Sequence, residues 1–115
     1  MQILRYRQGE EFKPHVDYFN ESGAGAYKSL ADGGQRAQTA LIYLNDGYSG
    51  GSTYFPALQL DVKGRSGDIL HFHNLGPDGL GHRDSLHAGM PLMAGEKWLL
   101  SKWIRGERYP QRLSW

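Results

Sequence analysis

Cysteine is absent from the 115 residues. That excludes disulfides, thiolate zinc sites, iron–sulfur clusters and a cysteine nucleophile. It fits a reducing cytoplasm, the compartment expected. Long apolar runs are also missing. No stretch approaches the roughly 20 residues of a membrane-spanning helix. The opening Met1-Gln2-Ile3-Leu4-Arg5-Tyr6 has neither the charged nor the apolar region of a secretory signal. No membrane partner is therefore expected. The formal net charge is only +1, which leaves no electrostatic case for a nucleic-acid partner. The basic residues that thicken toward the end (Lys97, Lys102, Arg105, Arg108 and Arg112) read as a solvated edge. Sustained helical periodicity is scarce as well.

What the chain has is turn and strand chemistry. Sixteen glycines and seven tyrosines point to many turns and to β-structure. The length suits one domain with one core. Strands are expected at Ile3–Tyr6, Lys13–Phe19, Ala37–Leu44, Thr53–Phe55, Leu58–Val62, Asp68–His73, Ser85–Gly89 and Lys97–Arg105. Ala37–Leu44 reads as buried on both faces. Residues 21–34 and 74–83 form polar, glycine-rich loops. Lys97–Arg105 satisfies helical and alternating patterns equally, and local sequence does not choose between them. Eight short strands without a repeat or linker suit a jelly roll, or double-stranded β-helix, with little helix.

The chemistry concentrates in His15-Val16-Asp17. Residues two apart lie on one face of a strand, so His15 and Asp17 can offer one nitrogen and one carboxylate oxygen to a single metal. A remote histidine, His87, would complete a two-histidine, one-carboxylate face, the arrangement of non-haem Fe(II) oxygenases. A second pattern competes. His71-Phe72-His73 is also a His-x-His; with Asp78 and His82 it outlines a cupin-type metal site on paper.

Six ordered segments carry a resemblance. They are Lys13-Pro14-His15-Val16-Asp17-Tyr18-Phe19, Thr39-Ala40-Leu41-Ile42-Tyr43-Leu44-Asn45, Gly50-Gly51-Ser52-Thr53-Tyr54-Phe55-Pro56, Ser85-Leu86-His87-Ala88-Gly89, Gly95-Glu96-Lys97-Trp98 and Lys102-Trp103-Ile104-Arg105, after an initial Arg5-Tyr6. Together they resemble the catalytic core of prolyl 4-hydroxylases, within the Fe(II)/2-oxoglutarate dioxygenases. Ser52 and Met90 depart from the glutamate and cysteine common in that family.

The resemblance implies a strand at Lys97–Arg105 and iron held by His15, Asp17 and His87. It also implies that Lys97 binds the distal carboxylate of 2-oxoglutarate. Tyr6 and Tyr43 are expected as hydroxyl donors to that cosubstrate, with core packing as the competing role. Thr39 shares Tyr43's strand face and is expected beside them. Trp103 either walls the pocket or packs in the core. The implied reaction uses dioxygen, releases succinate and carbon dioxide, and hydroxylates a C–H bond, most simply C4 of a proline in a peptide or protein. Ascorbate is the implied reductant. Residues 1–115 read as one catalytic domain lacking the family's usual N-terminal helices. The sheet those helices would cover then needs another cover, such as a second copy of the chain. A non-catalytic or truncated jelly-roll binding module is the remaining alternative.

Overall fold

The structure, a computed structural model, describes residues 1–19 and 34–105. Most of the expected 21–34 loop lies outside the described residues. The strands are β1 (Gln2–Tyr6), β2 (Phe12–His15), β3 (Arg36–Tyr43), β4 (Ser49–Gly50), β5 (Thr53–Phe55), β6 (Leu60–Val62), β7 (Ile69–His73), β8 (His87–Gly89), β9 (Leu92–Ala94) and β10 (Lys97–Arg105). Two short 3-10 turns, Pro56–Leu58 and Arg83–Ser85, are the only helical segments among the described residues. No helix among them is long and apolar enough to cross a membrane.

The strands form sheets of order β1-β10-β3-β7 and β2-β8-β5-β6, with a small β4-β9 ribbon. Every pairing is antiparallel. Apart from the β5–β6 hairpin and the β4-β9 ribbon, sequential strands alternate between the two larger sheets, which is the double-stranded β-helix expected from the strand pattern. Lys97–Arg105 is a strand because it is hydrogen-bonded on both edges, to β1 and to β3.

Register decides which side chains meet. Tyr6 pairs with Lys97 and Leu4 with Leu99. Tyr43 pairs with Leu99, and Thr39 with Trp103. These residues share one face because side chains alternate along each strand. The core packs on that face: its Tyr6, Tyr43 and Leu99 are buried together with Tyr48 and with Leu92 of β9. The second sheet opposes it, and pairs His15 directly with His87. Pro14 is tolerated inside β2 because β2 is an edge strand, where a missing N–H costs no ladder bond.

Several expectations need correction. β2 ends at His15, so Asp17 lies beyond the strand rather than on its face. β3 is buried on one face only: Thr39, Leu41 and Tyr43 are buried, while Ala40 and Ile42 are half-exposed. The expected strand from Leu58 starts instead at Leu60, because Pro56 opens a 3-10 turn that closes on Gln59 at φ 49°. Ser85 likewise belongs to a 3-10 turn and β8 begins at His87. β4 and β9 were not anticipated; two or three residues beside Gly51 and Pro91 are too few for a readable alternation.

Gly64 packs so closely on the Tyr43 ring that an added Cβ would overlap it. Gly64→Ala is therefore expected to destabilise the fold by about 1–3 kcal/mol, the usual range for overpacking. Thermal unfolding should show a midpoint several degrees lower; an unchanged midpoint would mean that the ring can yield.

Candidate metal centre

His15, Asp17 and His87 come together. One ligand atom from each lies within 4.8 Å of the other two. Asp17 and His87 are buried and His15 is half-buried. His15 closes β2, and His87 opens β8 opposite it, with ring centroids 4.3 Å apart. Asp17 follows two residues after His15 and points back, with Oδ1 3.4 Å from His15 Nε2 and Oδ2 3.8 Å from His87 Nε2.

The rings are held by their other nitrogens. His15 Nδ1 lies 2.7 Å from the Lys13 carbonyl and His87 Nδ1 lies 2.7 Å from the Ser85 carbonyl. A carbonyl only accepts, so each Nδ1 carries a proton, and in the neutral ring each Nε2 then presents a lone pair to the centre. Phe72 and Phe55 pack on His87, at centroid distances of 4.9 and 5.7 Å.

The electrostatics suit a cation. Burial alone would raise Asp17, but hydrogen bonding to His15, the proximity of His87 and the Thr39 hydroxyl outweigh it and bring the carboxyl down to about 2. Burial pushes His87 down, toward the neutral imidazole a metal needs. Burial works the same way on His15, yet its contacts with Asp17 and the Lys13 carbonyl prevail and shift it upward. The donor chemistry therefore fits a divalent ion with nitrogen and oxygen ligands.

Beside these residues lies a cavity of about 420 Å³, lined by the triad together with Tyr6, Arg36, Thr53, Lys97 and Trp103 among others. Lys97 is 1% exposed. Its ammonium donates to the Gly51 carbonyl at 2.6 Å and sits 4.7 Å from the Tyr6 ring centroid. It has no ion-pair partner among the described residues. Burial, then the nearby Lys63, lowers it to about 8. Gly51 adopts φ 67° to turn its carbonyl there, a conformation that favours glycine.

Two expected cosubstrate contacts have other partners. Tyr43 and Thr39 are not among the cavity-lining residues. The Tyr43 hydroxyl bonds Thr53 Oγ1 at 2.9 Å, so it reaches the cavity only through Thr53. The Thr39 hydroxyl donates to Asp17 Oδ2 at 2.7 Å. Tyr6 does line the cavity. So does Trp103, whose indole N–H lies 3.3 Å from Asp17 Oδ2. Sequence reasoning missed Thr53, for which a Gly-Gly-Ser-Thr turn offered no signal. It also missed Arg36, whose guanidinium stacks 3.9 Å over Trp103.

His71 and His73 do not form the competing site. They project from edge strand β7 and are exposed. His71 Nε2 is occupied by Gln38 Oε1 at 2.6 Å, and no further metal-competent group of three includes either residue among those described. They border a second, largely apolar cavity of about 610 Å³ formed by the β5–β6 turn, β7 and the 74–85 loop.

A family model for the 2OG-Fe(II) oxygenase superfamily matches residues 1–105. The chain belongs to this superfamily. Prolyl 4-hydroxylase 1 of Arabidopsis thaliana is 37% identical over 118 residues, covering 91% of this chain and 40% of its own length. Prolyl 4-hydroxylase 13 of the same plant is 36% identical over 122 residues, covering 93% of this chain and 43% of its own. The crystal structure of a viral collagen prolyl hydroxylase from Paramecium Bursaria Chlorella virus-1, in complex with 2OG, superposes with a TM-score of 0.72 at 28% identity. That match covers 92% of this chain and 57% of the viral one. The chain thus spans less than half the length of the two plant oxygenases.

Proposed function

We propose that this superfamily core is an Fe(II)- and 2-oxoglutarate-dependent dioxygenase that hydroxylates C4 of proline in a peptide or protein. The observation that carries the reading is the pairing of two features in one cavity: a histidine–aspartate–histidine cluster and a buried lysine without a carboxylate partner among the described residues. A buried cation is costly unless an anion meets it, and a dicarboxylate that spans from the metal to Lys97 supplies one.

His15, Asp17 and His87 would hold the iron. When bound, the iron supplies the oxidative chemistry: dioxygen and 2-oxoglutarate are consumed, succinate and carbon dioxide are released, and one oxygen atom enters the substrate C–H bond. The chain's own residues do the rest. Asp17 contributes the single negative charge that leaves a divalent ion net positive, suited to an anionic cosubstrate. Lys97 binds the distal carboxylate with a charge-assisted bond; Tyr6 and the Thr53 hydroxyl border it. Phe55 and Phe72 keep water from the far side of His87. The proline preference follows from the prolyl 4-hydroxylase relatives. Ascorbate is proposed as the reductant, and a second copy of the chain as one cover for the outer sheet.

The test is turnover. Folded protein with Fe(II), 2-oxoglutarate, ascorbate and proline-rich peptides should form succinate and add one oxygen mass to proline. Succinate no higher than in a metal-free control, across a broad peptide panel, would favour the non-catalytic binding module.

A further inference from the structure

We infer that Asn74 is a positioning residue for the metal centre, aiming the Asp17 carboxylate through the Thr39 hydroxyl. The inference rests on the reading of Asp17 as a metal ligand.

Three side chains from distant parts of the chain form one line of hydrogen bonds. Asn74 Nδ2 donates to Thr39 Oγ1 at 2.7 Å, and Thr39 Oγ1 donates to Asp17 Oδ2 at 2.7 Å. Asn74 and Thr39 are both 0% exposed, so bulk water cannot substitute for either. The direction of the line is forced. A carboxylate only accepts, so the single Thr39 hydroxyl hydrogen points to Asp17. The Thr39 oxygen must then accept from a donor. The Asn74 amide supplies one only with its nitrogen facing Thr39, and the same nitrogen lies 3.3 Å from the Arg36 carbonyl. Flipping the amide would set its oxygen against two acceptors.

That orientation leaves Asn74 Oδ1 buried without a hydrogen-bond partner among the described residues. A buried orphan acceptor calls for an explanation. Here the residue serves the donor at its other end.

Asn74 also anchors a loop. It ends β7: its N–H bonds the Ala37 carbonyl at 2.8 Å, and its carbonyl accepts from His82 N–H at 2.8 Å. The same 74–85 loop supplies the Ser85 carbonyl that holds His87 Nδ1. One connection thus orients two of the three candidate ligands, Asp17 through side chains and His87 through the backbone. Groups that orient ligands typically change metal affinity about 10- to 100-fold when removed.

Asn74→Leu keeps much of the shape and removes the donor without adding a group that can be protonated. The Thr39 oxygen then loses the partner that turns its hydrogen to Asp17. Co(II) binding to the whole chain, by calorimetry and by the visible absorption of the bound ion, should weaken about 10- to 100-fold. Thr39→Val should do the same, and Thr39→Ser, which keeps the hydroxyl, should bind as the parent does. Because the groups act in series, Asn74→Leu combined with Thr39→Val should cost no more than Thr39→Val alone. Thermal unfolding of each metal-free variant separates misfolding from misaimed ligands. Parent-like Co(II) affinity in folded Asn74→Leu would remove Asn74 from the relay; if that variant does not fold, the Thr39 pair decides. Parent-like Co(II) affinity in folded Thr39→Val, or equal losses in Thr39→Val and Thr39→Ser, would overturn the inference. Asp17→Ala is the control for the reading beneath it: undiminished Co(II) binding there removes Asp17 as a ligand, whereas lost binding there with parent-like Thr39→Val removes only the relay.

Discussion

His87→Ala is expected to abolish metal-dependent turnover and to weaken Co(II) or Fe(II) binding by well over 100-fold. The bound is set by comparison: changing a group that merely orients a ligand costs about 10- to 100-fold, and His87 supplies a donor atom itself. It is buried at the first position of β8, facing His15 across the sheet. No other histidine stands near enough to replace it; His71 and His73 lie on an exposed edge and His82 is exposed beside Asp84. The lost ring also uncovers Phe55 and Phe72, so some loss of stability accompanies the change. Circular dichroism and thermal unfolding of the metal-free protein distinguish that loss from lost ligation. A folded His87→Ala variant that binds iron as the parent does would remove the triad from the proposal.

The triad was legible because its members occupy recognisable motifs, yet the local reason given for it was incomplete. Strand geometry predicted that His15 and Asp17 share a face; β2 stops at His15, and the bend after it returns Asp17 to the centre. Long strands such as β3 and β10 could be read, β3 from its apolar run and β10 from family likeness. The two-residue β4 could not, since its pairing depends on Ala94 and Leu92 far downstream. The support around the triad was the least legible part. Thr39 looked like a cosubstrate contact because it shares a face with Tyr43. Only the register that sets Thr39 opposite Trp103 on one side and Phe72 on the other shows that its hydroxyl serves Asp17 instead. Asn74 sits in a sequence of loop residues, Asn-Leu-Gly-Pro, and nothing local marks it as fully buried.

Lys97→Met should separate stability from function in opposite directions. The lysine's value of about 8, against 10.5 for the free side chain, means that the fold disfavours its charge. At about 1.4 kcal/mol for each pH unit, that depression corresponds to about 3 kcal/mol. The unfolded chain holds more protons than the folded one between pH 8 and 10.5, so stability rises with pH across that window, and at neutral pH the penalty is present in full. Methionine has similar length and no charge. Against the gain stands the lost bond to the Gly51 carbonyl, about 1 kcal/mol in net terms. The metal-free variant should therefore be more stable than the parent by about 2 kcal/mol at pH 7 in denaturant titration. Its 2-oxoglutarate affinity should fall steeply. Truncating one partner of a buried charge pair costs about 2–5 kcal/mol, which is about 30-fold to several thousand-fold in binding. On the proposed function, the parent's kcat/KM for 2-oxoglutarate should decline above pH 8, as the lysine of the free protein loses its proton; the variant should lack that break. A Lys97→Met protein that binds the cosubstrate like the parent would place the dicarboxylate elsewhere. One that is less stable without metal would mean that the buried ammonium supports the fold rather than waiting for an anion.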